Sequence, residues 1–214
     1  MARAFRPTTR GYKAELETHE RRLLSQLCAD VITMLQQRSQ QVDPEPAGEA
    51  PDDEFAHFRA ELAGLGAGLD EQQEHDDGAE PGLDPPEDQA LARLLPDGAA
   101  DQQQAAQLRR LTEASVRETK IADLRAARMA LEHDPVTLTD EQAPVFGRAL
   151  NDIRLTLASR LGIEDQDDAE RIHQSAGQGA AATTEEFMAE LYVFTTWLQE
   201  TLFSAMLDVL PEDE

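Results

Sequence analysis

The chain has 214 residues, with 43 Asp and Glu against 19 Lys and Arg, and a formal net charge of −24. A surface this negative repels nucleic-acid backbone, so DNA binding would need a local basic patch strong enough to overrule the global field. A single cysteine, Cys28, excludes an intramolecular disulfide and any multi-cysteine zinc or iron–sulfur site built by one chain.

The first residues carry no apolar run of signal-peptide type, so no secretion signal is expected. Ala4-Phe5-Arg6 and Tyr12 to Leu16 read as the arms of a β-hairpin whose turn is bracketed by Pro7 and Gly11. Residues 1–13 carry only bases, namely Arg3, Arg6, Arg10 and Lys13. This arm is the one place where a phosphate contact is electrostatically favoured. Its alternative reading is a solvated, ion-paired strand edge that blocks aggregation. A helix is predicted from about Thr18 to Arg38, with Leu24, Cys28, Val31 and Leu35 as its inner stripe. On that stripe Cys28 reads as a small buried hydrophobe, and a reactive, oxidisable thiolate is the minority alternative.

Residues 39–86 hold 14 acids, one base (Arg59), six of the 11 prolines and six of the 12 glycines. Such a composition cannot bury enough apolar surface to offset chain entropy, so a mostly disordered acidic linker is predicted. One island within it, Glu54 to Leu65, places Phe55, Phe58, Leu62 and Leu65 at helical spacing and could dock or fold on a partner. The 38 residues before the linker are too few for a core of their own, so 1–38 should pack with 87–214 as one domain.

Order is expected to resume at Asp84-Pro85-Pro86-Glu87, a helix start that leads to Leu95 and stops at Pro96-Asp97-Gly98. Asp101 then caps a long helix reaching about His133, with Leu108, Leu111, Val116, Ile121, Leu124, Ala127 and Leu131 as its apolar positions. Arg110, Arg117, Arg125 and Arg128 lie on another face. They read as a solvated face laced by pairs such as Glu113 with Arg117, or as a docking strip for an acidic partner, the chain's own linker included.

Val136-Thr137-Leu138 is a strand candidate for the hairpin, and Thr139 with Gln142 has capping-box spacing. The next helix carries Phe146, Leu150, Ile153, Leu157 and Leu161 on one stripe, with Arg154 and Arg160 on opposite shoulders. Guanidiniums at the rim of a buried face need carboxylates or carbonyls, so these two are expected to anchor the bundle through ion pairs. An acidic loop follows from Glu164 to Asp168, then a small-residue run from Gly177 to Ala182. A capping box at Thr183 opens a final helix to Leu210. Two apolar stripes on that helix, one with Leu191 and Leu198 and one with Tyr192 and Phe203, make it a bundle hub that could also pair two copies of the chain. Its polar residues Glu190, Gln199, Glu200 and Asp208 argue against a membrane span.

No glycine-rich phosphate loop, nucleophile elbow or His-Glu-x-x-His sequence is present, so no catalysis and no cofactor are expected. Glu54 with His57 and Glu170 with His173 match a Glu-x-x-His pattern but fall in acidic, loop-like segments, so no metal site is expected.

Three blocks carry a family resemblance. They are Asp88 to Asp97 leading into Leu108-Arg109-Arg110-Leu111-Thr112-Glu113, then Leu150-Asn151-Asp152-Ile153-Arg154-Leu155 with Arg160-Leu161-Gly162-Ile163, and Trp197-Leu198-Gln199-Glu200-Thr201-Leu202. In this order they resemble the actinobacterial family named for an oxidation-sensing regulator, the AosR-like family. The resemblance implies a cytoplasmic regulator that acts by protein contact, on a sigma factor or the transcription machinery under oxidative stress. A link to proteolysis, through a ClpS-type adaptor, is the second implication. The family's Cys-x-x-x-Cys switch is absent here, because Cys28 is followed by Val31-Ile32 and no second cysteine exists. The expectation is a mainly helical, non-enzymatic interaction protein with a small N-terminal β element. Its candidate residues are Cys28, Arg154, Arg160, Arg110, Arg117, Arg125, Arg128 and Trp197. The rival is a DNA-binding regulator using the basic arm.

Overall fold

In the computed structural model, residues 2–42, 82–176 and 183–209 are described. Most of the expected acidic linker, the island at 54–65, Glu54, His57, the run 177–182 and Leu210 lie outside the described residues. Strands β1 (Arg3–Thr8) and β2 (Gly11–Glu15) form the hairpin, and β3 (Val136–Leu138) pairs antiparallel with β2 to give the order β1-β2-β3. Pro7 lies within β1, opposite Tyr12, rather than in the turn. An edge strand tolerates its missing N–H. The turn is tighter than expected and closes at Gly11, whose φ of 114° is a conformation that other L-residues rarely adopt. Alternation puts Phe5, Tyr12, Ala14, Val136 and Leu138 on the buried face.

Six helices follow among the described residues: α1 (Thr18–Val42), α2 (Gln89–Leu94), α3 (Gln102–Leu131), α4 (Gln142–Arg160), α5 (Gln166–Ser175) and α6 (Thr184–Leu207). The first helix runs one turn past Arg38, so Ser39 to Val42 are helical and not linker. The second helix starts later than expected, at Asp88, whose carboxylate accepts from the N–H groups of Ala90 and Leu91. Asp101 and Thr183 cap α3 and α6, the latter in a reciprocal box with Glu186. Thr139 and Gln142 exchange the same pair of bonds ahead of α4, at 3.0 and 3.2 Å. The acidic loop after Gly162 is in fact largely helical: Asp165 caps α5, and Asp167 and Asp168 sit in its first turn, where the helix dipole favours carboxylates.

The centre of the bundle is α4, which packs against α1, α2, α3 and α6, whereas α6 packs against α4, α5, β1 and β2. Phe146, Leu150 and Ile153 of α4 are fully buried, as are Leu198 and Leu202 of α6. Gly147 permits the close α4–α6 approach, since a Cβ there would lie 2.7 Å from the Phe203 ring. Gln199 donates to the Gly147 carbonyl at 3.1 Å across the same contact. No helix among the described residues is long and apolar enough to cross a membrane.

Candidate functional site

The long helix α3 is built inside out over its N-terminal half. Its buried side chains are Ala105, Arg109, Glu113 and Arg117, then Asp123, Leu124, Ala127 and Leu131. Leu108, Leu111 and Val116, expected inside, are exposed, Leu111 by 78%. Stepping back from Leu131 by threes and fours reaches 127, 124, 120, 117, 113, 109 and 105. The helical period therefore continues, but its occupants become charged. A periodicity search restricted to apolar residues misses this face.

The charges are held by a network. Glu113 accepts from Arg38 of α1 at 3.0 and 3.2 Å, from Arg117 at 2.5 Å, and lies 3.4 Å from Arg109 Nε. That last contact is an ion pair at a geometry that leaves the Nε–H without a hydrogen-bond acceptor. Arg109 also donates to Asp97, and Arg38 Nη2 donates to the Asp84 carbonyl at 2.5 Å. Three buried guanidiniums thus share one buried carboxylate. The expected solvated pairing of Glu113 with Arg117 is corrected: the pair exists, but both side chains are buried against α1. Removing two charges from water costs several kcal/mol per ion, so the full set of partners is needed for such a pair to hold.

One turn further on, α3 meets α4 through a second polar set. Lys120 Nζ lies 2.7 Å from Asp152, and Arg148 grips Asp123 in two-pronged fashion at 2.6 and 3.0 Å. Burial pushes the Asp152 carboxyl above its ordinary range, against the hydrogen bond and charge of Lys120. These groups line a cavity of about 330 Å³ together with Val116 and Asn151. Positive and negative charges balance in it, and no nucleophile is paired with a base there.

The remaining candidates are spread over the molecule. Arg160 donates to Asp88 at 2.7 Å, and Arg93 donates to the Ile163 carbonyl at 2.6 Å, so the two arginines clamp α2 onto the end of α4. Burial alone would raise the Asp88 carboxyl, but the Arg160 hydrogen bond and the N–H donors of Leu91 and Ala90 outweigh it and hold it low. Arg154 is half-buried and donates to Asn151 of its own helix at 3.2 Å. Arg110 and Arg125 are exposed, and Arg128, also exposed, donates to Ser25 of α1 at 3.3 Å. Trp197 is half-buried and stacks on Phe194 with centroids 6.0 Å apart. Arg21, unremarked in the sequence, reaches the carbonyls of Leu131, Glu132 and His133 at the end of α3, and Asp134 at 3.1 Å.

Cys28 is buried in the core, and desolvation pushes its thiol up to about 12, only partly offset by the charge of Arg128. Glu170 and His173 sit on exposed α5, where His173 meets the Tyr192 ring edge-on at 5.9 Å. No cluster of metal-ligating side chains occurs among the described residues. In the basic arm, Arg3, Arg6 and Lys13 converge on Glu15 at 3.0, 3.3 and 3.3 Å. A depression of about 930 Å³ near the start of α1 holds carboxylates that are already engaged, Glu15 with that arm and Asp134 with Arg21.

No curated protein and no solved structure matches the chain. A family model described as a domain of unknown function matches residues 2–206, which takes in every strand and nearly every helical residue described above. The chain belongs to that family, DUF2017.

Proposed function

We propose that the protein is a non-enzymatic cytoplasmic regulator that acts by contact with another protein, a sigma factor or polymerase subunit, as its AosR-like resemblance implies. The observation that supports this is the inverted half of α3. A helix that buries Arg109, Glu113 and Arg117 while presenting Leu108, Leu111 and Val116 to solvent gains little as a core element and keeps its apolar surface for a partner. The ionic layer beneath holds that surface rigid, which lowers the entropy lost on binding. Three of the four bases in the arm of the DNA-binding rival, Arg3, Arg6 and Lys13, instead pair with Glu15. An intrachain disulfide switch has no place in this reading, because Cys28 is the single cysteine.

The test is binding of the purified protein to sigma factor and to RNA polymerase core and holoenzyme, without DNA. Leu111→Asp and Val116→Asp, each shown to be folded by circular dichroism, should weaken binding about tenfold or more, as loss of a central apolar contact does. Absence of binding to all three, or binding unchanged by both substitutions, rejects the proposal. So does binding to duplex DNA alone that falls steeply with salt.

A further inference from the structure

We infer that the groove between the last turns of α1 and the N-terminal half of α3 is the docking surface of the chain's own acidic segment, residues 43–81. Two cavities of about 270 and 600 Å³ make up this groove, and Ala114 and Arg117 line both. Its position relative to the chain is the first argument. Val42 and Gly82, the residues on either side of the segment, both line the smaller cavity, so the segment leaves from and returns to the groove. The return is pinned: Leu83 N–H donates to the Ala106 carbonyl at 3.0 Å, and Gly82 lies so close that a Cβ would fall 2.5 Å from that of Ala106.

Charge is the second argument. Residues 43–81 carry 13 acids and one base, Arg59. The groove is lined by Arg110 and Arg117 with Glu113 and Glu118, and Glu113 is further paired with buried Arg38 and Arg109, so this patch escapes the negative excess of a chain whose net charge is −24. From Gln102 to Arg117, Glu113 is the sole acid of α3 and it is buried, which leaves Glu118 as the one exposed carboxylate among the lining residues. Tethering is the third. A segment fixed at both ends beside a site meets it at an effective concentration in the mM range, where even weak ionic contacts fill it. The groove lies on the α1 side of α3, so its occupancy by residues 43–81 holds whether or not Leu111 and Val116 bind a partner protein.

The experiment uses the full chain with a photocrosslinking residue at the groove, Ala114→p-benzoyl-phenylalanine, and Thr137 on β3 carrying the same group as the distant control. Crosslinks mapped by peptide mass spectrometry should fall on residues 49–77 of the same chain and be enriched over the control. Their yield should drop about threefold or more when salt is raised from about 0.05 to about 0.5 M, since the contacts are ionic. Arg110→Glu, an exposed change, should lower the yield similarly. Crosslinks that join two chains assign the groove to a second copy and overturn the inference. Crosslinks confined to residues outside 43–81 overturn it too, as does a yield indifferent to both salt and Arg110→Glu.

Discussion

Arg38 and Glu113 stand 75 residues apart in the chain and form a two-pronged ion pair, Nε to Oε1 at 3.0 Å and Nη2 to Oε2 at 3.2 Å, with both side chains buried. The same carboxylate serves Arg109 and Arg117, so α1 and α3 are joined at this level by charge rather than by apolar packing. Removing one partner of a buried pair leaves the other uncompensated, at a cost of about 3–5 kcal/mol. Glu113→Gln should therefore lower the unfolding free energy by that amount in a urea titration. A loss under about 1 kcal/mol would show that the arginines find other acceptors or water.

The pairing of Lys120 with Asp152 predicts a pH-dependent effect. Burial raises the Asp152 carboxyl, so the folded protein holds that proton more tightly than the unfolded chain does. Its contribution to stability is complete below the unfolded value of 3.8 and declines as pH climbs through the raised folded value. Lys120→Met removes the group that opposes this shift and should cost about 3–5 kcal/mol at pH 7. The loss should shrink toward pH 4, where Asp152 in the variant is protonated. Denaturation curves at the two pH values, with a carbon-13 titration of Asp152, check both the size and the direction.

Asp88 behaves in the opposite sense. Its carboxyl is held low despite burial, by Arg160 and two backbone N–H donors, so its contribution is present above 3.8 and is lost as pH falls through the depressed folded value. Arg160→Gln should raise the Asp88 pKa and flatten that acid limb of the stability profile, while α2 loosens from α4. An Asp88 titration unchanged in the variant would contradict the clamp.

Cys28 should be chemically silent in the folded state. A thiol at about 12 instead of 9.0 has about a thousandth of the ordinary thiolate at pH 8, and burial excludes the reagent as well. Iodoacetamide should label it at the rate of global unfolding and no faster. Rapid labelling of native protein, or a sulfenic acid formed there by peroxide, would return the residue to the redox candidates.

The approach of α4 to α6 gives a packing test. Gly147→Ala brings a methyl within 2.7 Å of the Phe203 ring, which is partly exposed and must swing away. A loss of about 1–3 kcal/mol is expected, as for other overpacked contacts, and Phe203→Leu in the same chain should recover part of it. Thermal unfolding of the single and double variants measures the relief.

Local signals read in the sequence were sound where each required only neighbouring residues. The hairpin, β3, the caps at Asp101 and Thr183, and the stripe from Phe146 to Leu157 depend on propensity, periodicity and short-range hydrogen bonds, which a linear chain displays directly. The helical run of α5 was obscured by its acids, although carboxylates in a first helical turn are favourable. Cys28, read as a core residue by its stripe, is buried with Leu24 and Leu35.

Which face of α3 turns inward was decided by the tertiary structure alone. Leu108, Leu111 and Val116 look like core, and Arg109, Glu113 and Arg117 look like surface, until Arg38 arrives from 75 residues away and makes the charged face the one that can be buried. A charge leaves water only when partners from distant elements converge on it, and no periodicity records that convergence. Sequence by itself therefore determined the helical class, the local caps and the acidic character of this protein. The folded chain decided which charges are interior, and with that which apolar side chains of α3 remain outside.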